Sequence, residues 1–95
     1  MQKEFTVYIL SNASRRTYVG LTSNLEVRLH QHRQKVNSGF TRDHNINLLV
    51  YYELYTTSDD AIARERQLKT WSRVKKHRLI EAMNPNWDDL SAGWG

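Results

Sequence analysis

Two phenols, a guanidinium, an imidazole and a carboxylate, at Tyr8, Tyr18, Arg28, His32 and Glu65, form a set that could grip a phosphate and move a proton beside it. Glu65 breaks its surroundings most clearly. It lies three residues after Ile62 and three before Leu68, so in a helix it shares their apolar face and is expected to be partly buried. Burying a carboxylate is costly unless a cation or several donors satisfy it, so an arginine or a metal ion is expected beside it. Arg28 lies three residues after Leu25, and His32 lies three after Leu29 and four after Arg28, so both edge one apolar stripe. A guanidinium so placed suits a phosphate, because its planar fork donates bidentate hydrogen bonds and stays charged at any relevant pH. The plainer reading pairs Glu65 with Arg28 as a structural ion pair, and leaves Tyr8 and Tyr18 as strand aromatics and His32 as a helix-edge residue. Convergence favours chemistry, because all five could face one hollow from separate elements.

The pattern around these residues predicts the elements that carry them. Phe5, Val7 and Ile9 alternate with Thr6, Tyr8 and Leu10, the period of a half-buried strand. Ser11-Asn12-Ala13-Ser14 is turn-rich and precedes Thr17-Tyr18-Val19-Gly20-Leu21, which predicts a β-hairpin. With the loop centred on Ala13, Tyr8 pairs with Tyr18 and Leu10 with Arg16, and both phenols share one face. A slip of one residue would separate them. Ser23-Asn24-Leu25-Glu26 has the form of a capping box, opening a helix that runs to about Val36. Gly39 and the stretch from Thr41 to Asn45 make a basic loop. Leu48 to Tyr55 is β-rich and apolar, as in a central strand with both faces at least partly covered. Ser58-Asp59-Asp60 caps a second helical stretch carrying Ile62, Leu68, Trp71, Leu79, Ile80 and Met83, with a break near Ser72 and an end at Pro85. The tail from Asn84 reads as extended or turn-like, with Trp87 packing back. The order β-β-α-β-α-α makes an α+β fold in which a small three-stranded antiparallel sheet is flanked by helices.

At 95 residues the chain fits one domain, since domains typically run to about 100 to 150 residues; residues 1–95 read as that domain, with 84–95 as a C-terminal tail. Lys and Arg number 14 against 10 Asp and Glu, a formal net charge of +4, and the pI near 9.6 favours a polyanionic partner such as nucleic acid. Arg15, Arg16, Arg42, Lys69 and Arg73 could hold a strand backbone, which gives affinity without sequence specificity. Cysteine is absent from the sequence, which excludes disulfides, thiolate metal sites and a cysteine nucleophile and suits a reducing, cytoplasmic setting. The N-terminus has no signal-like apolar run, and no stretch approaches the ~20 apolar residues of a membrane span. A phosphate-cradling Gly-rich loop, a His-Glu-x-x-His zinc helix and an EF-hand loop are all missing from the sequence.

Val7-Tyr8-Ile9, a spacer, Tyr18-Val19-Gly20 and then Arg28 resemble the signature of the GIY-YIG nuclease family, with the first motif read as VYI and the second as YVG. The run from Thr17 to His32 is similar to that family's second strand and first helix, and Glu65 falls where its metal-binding glutamate is expected. The Asn84-Pro85-Asn86-Trp87 ending is similar to that of small stand-alone bacterial members. Val7 stands where the family commonly has glycine. Leu21 follows Gly20 where repair-excision relatives carry a lysine close by, and Asn84 is a candidate for the family's late asparagine.

The resemblance implies hydrolysis of DNA phosphodiester bonds by in-line attack of water, with one Mg²⁺ or Mn²⁺ held by Glu65 and Arg28 on the non-bridging oxygens. Tyr8 is its first choice of general base. Tyr18 and His32 remain alternatives, since free tyrosine titrates near about 10 and histidine near about 6.5. DNA is the implied partner, with a role in repair or recombination and specificity drawn from DNA shape or from a partner protein. The competing function is a nucleic-acid-binding domain that keeps the fold without catalysis. A third is an interaction module in which the five residues form only an ion-pair network.

Overall fold

The computed structural model describes residues 3–34 and 44–94. Its strands are β1 (Phe5–Ser11), β2 (Thr17–Thr22) and β3 (Leu48–Tyr55), and its helices are α1 (Leu25–Arg33), α2 (Ser58–Thr70) and α3 (Arg73–Met83). The order is the expected β-β-α-β-α-α, and β1 pairs antiparallel with both other strands. Val36, Gly39 and residues 41–43 lie outside the described residues. Among the described residues no helix is long and apolar enough to cross a membrane.

The sheet order is β2-β1-β3, so the central strand is β1 and not β3. Val7, Tyr8, Ile9 and Leu10 are wholly buried because helices cover both faces. Val7 and Ile9 join Val19 and Val50 against Ala61 and Leu68 of α2 and Ile80 of α3. On the other face, Tyr8 and Leu10 join Ile46 and Leu49 against Leu29 of α1. The apolar run of β3 misleads because Tyr52 and Leu54 point outward, 39% and 57% exposed. Tyr51, Glu53 and Tyr55 turn inward, and Glu53 is fully engaged there. It accepts from the hydroxyls of Tyr51 and, at 2.6 Å, Tyr55, and the Arg64 guanidinium of α2 grips it through Nε at 2.9 Å and Nη2 at 3.0 Å. A bidentate guanidinium and two phenols remove the penalty of burying that carboxylate.

The β1–β3 register shifts between Ile9, which faces Tyr51, and Leu10, which faces Leu49, leaving Val50 as a bulged residue. The tail covers the exposed groups. Asn84 Nδ2 donates to the Val50 carbonyl at 3.0 Å, and the Leu90 amide donates to the Leu49 carbonyl at 2.7 Å. The chain end thus blunts the sheet edge where the bulge would otherwise leave it bare. Asn84 also donates to the Asp88 carbonyl at 2.9 Å and accepts from the Asp88 amide at 3.0 Å, so its amide is committed to fixing the backbone. Trp87 is 8% exposed and packs back into the core, as expected.

In the hairpin, Tyr8 faces Gly20 and Leu10 faces Tyr18, two residues away from the expected pairing. Asn12 sets the loop. Its Oδ1 accepts from the Arg16 amide and from Ser14 Oγ, both at 2.9 Å, and Arg15 takes the left-handed region at φ 63°. This closure centres the loop on Ser14 rather than Ala13. A slip of two, unlike a slip of one, returns each side chain to its own face, so both phenols still share one. The caps also differ by one residue from expectation. Asn24, not Ser23, caps α1 by accepting from the Val27 amide at 3.2 Å, and Thr57, not Ser58, caps α2 by accepting from the Asp60 amide at 3.3 Å. The break at Ser72 is as predicted, with its hydroxyl capping α3 at the Lys75 amide.

Candidate active site

The site begins at the β1–β2 pair. A Cβ placed on Gly20 would sit 2.4 Å from both Cζ and the phenolic oxygen of Tyr8. The Tyr8 ring therefore crosses the space that any side chain at position 20 would fill. It ends against α1, where its hydroxyl lies 3.3 Å from His32 Nε2. Tyr18 closes a triangle, its ring centroid 6.4 Å from that of Tyr8 and 5.4 Å from that of His32. Helix α1 presents Leu25, Arg28, Leu29 and His32 along one side, following the helical repeat. The Arg28 guanidinium lies within hydrogen-bonding reach of the Tyr8 phenol, and the charge of Glu65 is felt there too.

Electrostatics separates the two buried groups. Burial, and after it Tyr18, push the Tyr8 phenol above its ordinary range, with Glu65 adding to the rise while Arg28 opposes it by charge and hydrogen bonding. Burial and then the Arg28 charge hold His32 below its ordinary value. Near neutral pH the first is a protonated phenol and the second a neutral imidazole, so their hydrogen bond joins two uncharged groups, with its direction set by the His32 tautomer. Tyr8 is wholly buried and His32 is 3% exposed, whereas Tyr18 and Arg28 are half-buried.

Glu65 stands on the inner edge of α2 between the buried Ala61 and Leu68. Its side chain is 19% exposed, and its Oε2 lies 3.2 Å from Nζ of Lys69, which is 52% exposed. Where an arginine or a metal ion was expected, the cation beside Glu65 is Lys69, one turn on along the same helix, and the plainer pairing with Arg28 does not form among the described residues. Nor do those residues contain a group of three His, Cys, Asp or Glu that could hold an ion. A single partly buried carboxylate with a displaceable lysine nonetheless suits Mg²⁺ or Mn²⁺, which bind through one or two carboxylates and complete their shell with water and phosphate oxygens.

Of the basic residues singled out from the sequence, Arg15, Arg16 and Arg73 line one open hollow of about 230 Å³, together with Thr17 and Lys76. Lys69 belongs instead to Glu65, and Arg42 lies outside the described residues. Lys76 was missed. Its signal was its position three after Arg73, on the same side of α3.

A family model described as the GIY-YIG catalytic domain matches residues 4–78. A UPF0213 protein of Natronomonas pharaonis is 35% identical over 80 residues, covering 84% of this chain and 94% of that relative. A UPF0213 protein of Staphylococcus haemolyticus is 33% identical over 75 residues, covering 79% and 92%. The solution NMR structure of a UPF0213 protein of Bacillus halodurans superposes with a TM-score of 0.60 over 96% of this chain and 97% of that one at 23% identity, and so shares the fold. The matched segment runs from β1 into α3 and carries Tyr8, Tyr18, Arg28, His32 and Glu65 together, and the chain accordingly belongs to the GIY-YIG family.

Proposed function

We propose that this protein is a metal-dependent endonuclease that hydrolyses DNA phosphodiester bonds, selecting DNA by structure, as in repair or recombination, rather than by sequence. The observation that carries this reading is the buried Tyr8–His32 hydrogen bond, 3.3 Å long, lying beneath Arg28 and within the field of Glu65. A packed core has no need of a phenol bonded to an imidazole beside a guanidinium and a carboxylate.

Arg28 would bind the non-bridging oxygens of the scissile phosphate, and its contact strengthens as charge develops there. Glu65 would hold Mg²⁺ or Mn²⁺ once Lys69 turns away. When bound, such an ion supplies charge stabilisation at the phosphate and the leaving 3′ oxygen. The attacking water must lose a proton. Burial opposes a Tyr8 phenolate, so Tyr8 alone is a poor base. His32 solves this: the water proton passes to the Tyr8 oxygen while the Tyr8 proton passes to His32 Nε2. The pair ends as a neutral phenol and an imidazolium. Tyr18, the less buried phenol, would orient the water.

The test is to incubate the protein with branched, nicked and single-stranded DNA in Mg²⁺ or Mn²⁺, with chelator and Glu65→Gln as controls. Cleavage that disappears with chelator and with the variant is the expected result. Binding without cutting on every substrate would instead support a non-catalytic nucleic-acid-binding domain.

A further inference from the structure

The first turn of α3 carries Arg73, Lys75 and Lys76 and no acidic residue. A helix N-terminus has the positive end of the dipole, so cations there are unfavourable. Where a sequence breaks a local rule, a gain elsewhere is expected. Arg73 and Lys76 point into the hollow that Arg15, Arg16 and Thr17 enter from the β1–β2 loop and the start of β2. Four cations thus converge on about 230 Å³ of open space. Among the described residues the one carboxylate paired with them is Glu81, 3.5 Å from Arg15 Nη1. Like charges so gathered repel one another until an anion enters between them.

The hollow is also built in advance. Arg15 occupies the left-handed region at φ 63°, a costly conformation for a residue other than glycine. Its guanidinium stacks 4.9 Å from the Trp87 ring, and Trp87 is fixed in turn by donating from Nε1 to Glu81 at 2.7 Å. Trp87 lies beyond the segment matched by the family model, so the tail holds a loop arginine in position. Thr17, which lines the hollow, adjoins Tyr18 in β2. Neighbouring strand residues point to opposite faces, and the hollow therefore lies across the β2 edge from the candidate active site.

We propose that Arg15, Arg16, Arg73 and Lys76 form a phosphate-anchoring subsite that holds a second backbone phosphate of the same DNA strand, drawing the strand around the β2 edge so that the scissile phosphate meets Arg28. The guanidinium forks supply bidentate contacts and the lysine a point charge. Trp87 is its positioning residue. This subsite deepens the nuclease reading, but it is tested by binding alone, without a divalent ion, so its failure is distinct from a failure to cleave.

The experiment is fluorescence anisotropy of a DNA duplex in chelator across a salt series, with the protein and with Arg73→Ala/Lys76→Ala. The double variant should bind about tenfold more weakly, and the slope of log Kd against log salt should fall by about 1, the share of one phosphate contact. In a second arm, titration of the unaltered protein with inorganic sulfate should move the amide NMR signals of Arg15, Arg16 and Thr17 and the indole signal of Trp87 on one saturating curve. Should the double variant fail to fold, that arm decides. Unchanged affinity and slope, or sulfate shifts that do not saturate or that arise elsewhere, would overturn the proposal. Saturating sulfate shifts with unaltered DNA binding would also overturn it, marking a site for free anions instead of a strand.

Discussion

At the scale of single residues, the balance between Tyr8 and His32 decides how a proton could move. Burial pushes the phenol up and the imidazole down, so that near neutral pH both are uncharged and the imidazole is the base of the pair. The pH dependence follows. His32 accepts only while neutral, and its pKa is depressed below the ordinary 6.5, so the acid limb of kcat/KM should lie below pH 6.5 and should shift or vanish in His32→Gln. A limb rising towards about 10 would mean that a tyrosine acts alone. Stability carries the same sign. The depressed group binds fewer protons when folded, so its contribution is complete above about 6.5 and is lost as pH falls towards the folded value. Thermal unfolding between pH 7 and 5 checks this independently of substrate.

At the scale of elements, the site exists because β2 lets β1 send a phenol across it. Gly20→Ala places a methyl group 2.4 Å from two Tyr8 atoms, and neither the central strand nor its wholly buried ring can retreat. Overpacking of this kind costs about 1–3 kcal/mol. Denaturant unfolding should show that loss, with cleavage falling further because Tyr8 leaves His32; an unaffected variant would show that the ring does not depend on that gap. The elements themselves were legible where apolar period and turn chemistry agreed: the hairpin, the break at Ser72 and the partial burial of Glu65 on the side of Leu68, although the buried residue one turn before it is Ala61 and not Ile62. Helix α1 was harder. Arg28 and His32 share the side of Leu25 and Leu29, so these polar residues erase the amphipathic signal that would mark the helix. The strand order was misjudged because Tyr52 and Leu54 are apolar yet exposed. The inward Glu53 could not be read from the strand alone, because its partner Arg64 lies eleven residues away. The hairpin register depended on one side chain, Asn12, whose choice of partners spacing alone does not specify.

At the scale of the whole molecule, the two faces of one sheet carry different clusters. Tyr8 and Tyr18 pack with Leu29 on the α1 face, α2 and α3 cover the other, and Arg73 and Lys76 of α3 meet Arg15 and Arg16 at the basic hollow. The formal charge of +4 is thus less informative than its placement, since Arg33, Arg64 and Lys69 are spent on carboxylates and Arg15, Arg16, Arg73 and Lys76 gather at one edge. The tail beyond the matched family segment contributes twice, sealing the β3 bulge through Asn84 and steadying Arg15 through Trp87. The central claim is that the polar cluster serves catalysis and is not merely an internal support. The most direct measurement follows thermal unfolding and single-turnover DNA cleavage on the same preparations of Arg28→Ala and Glu65→Gln. If the claim holds, both variants stay folded, with melting temperatures close to that of the unaltered protein, while cleavage drops by at least about 100-fold. Variants that unfold in step with their loss of cleavage, or that cleave as well as the unaltered protein, would contradict it.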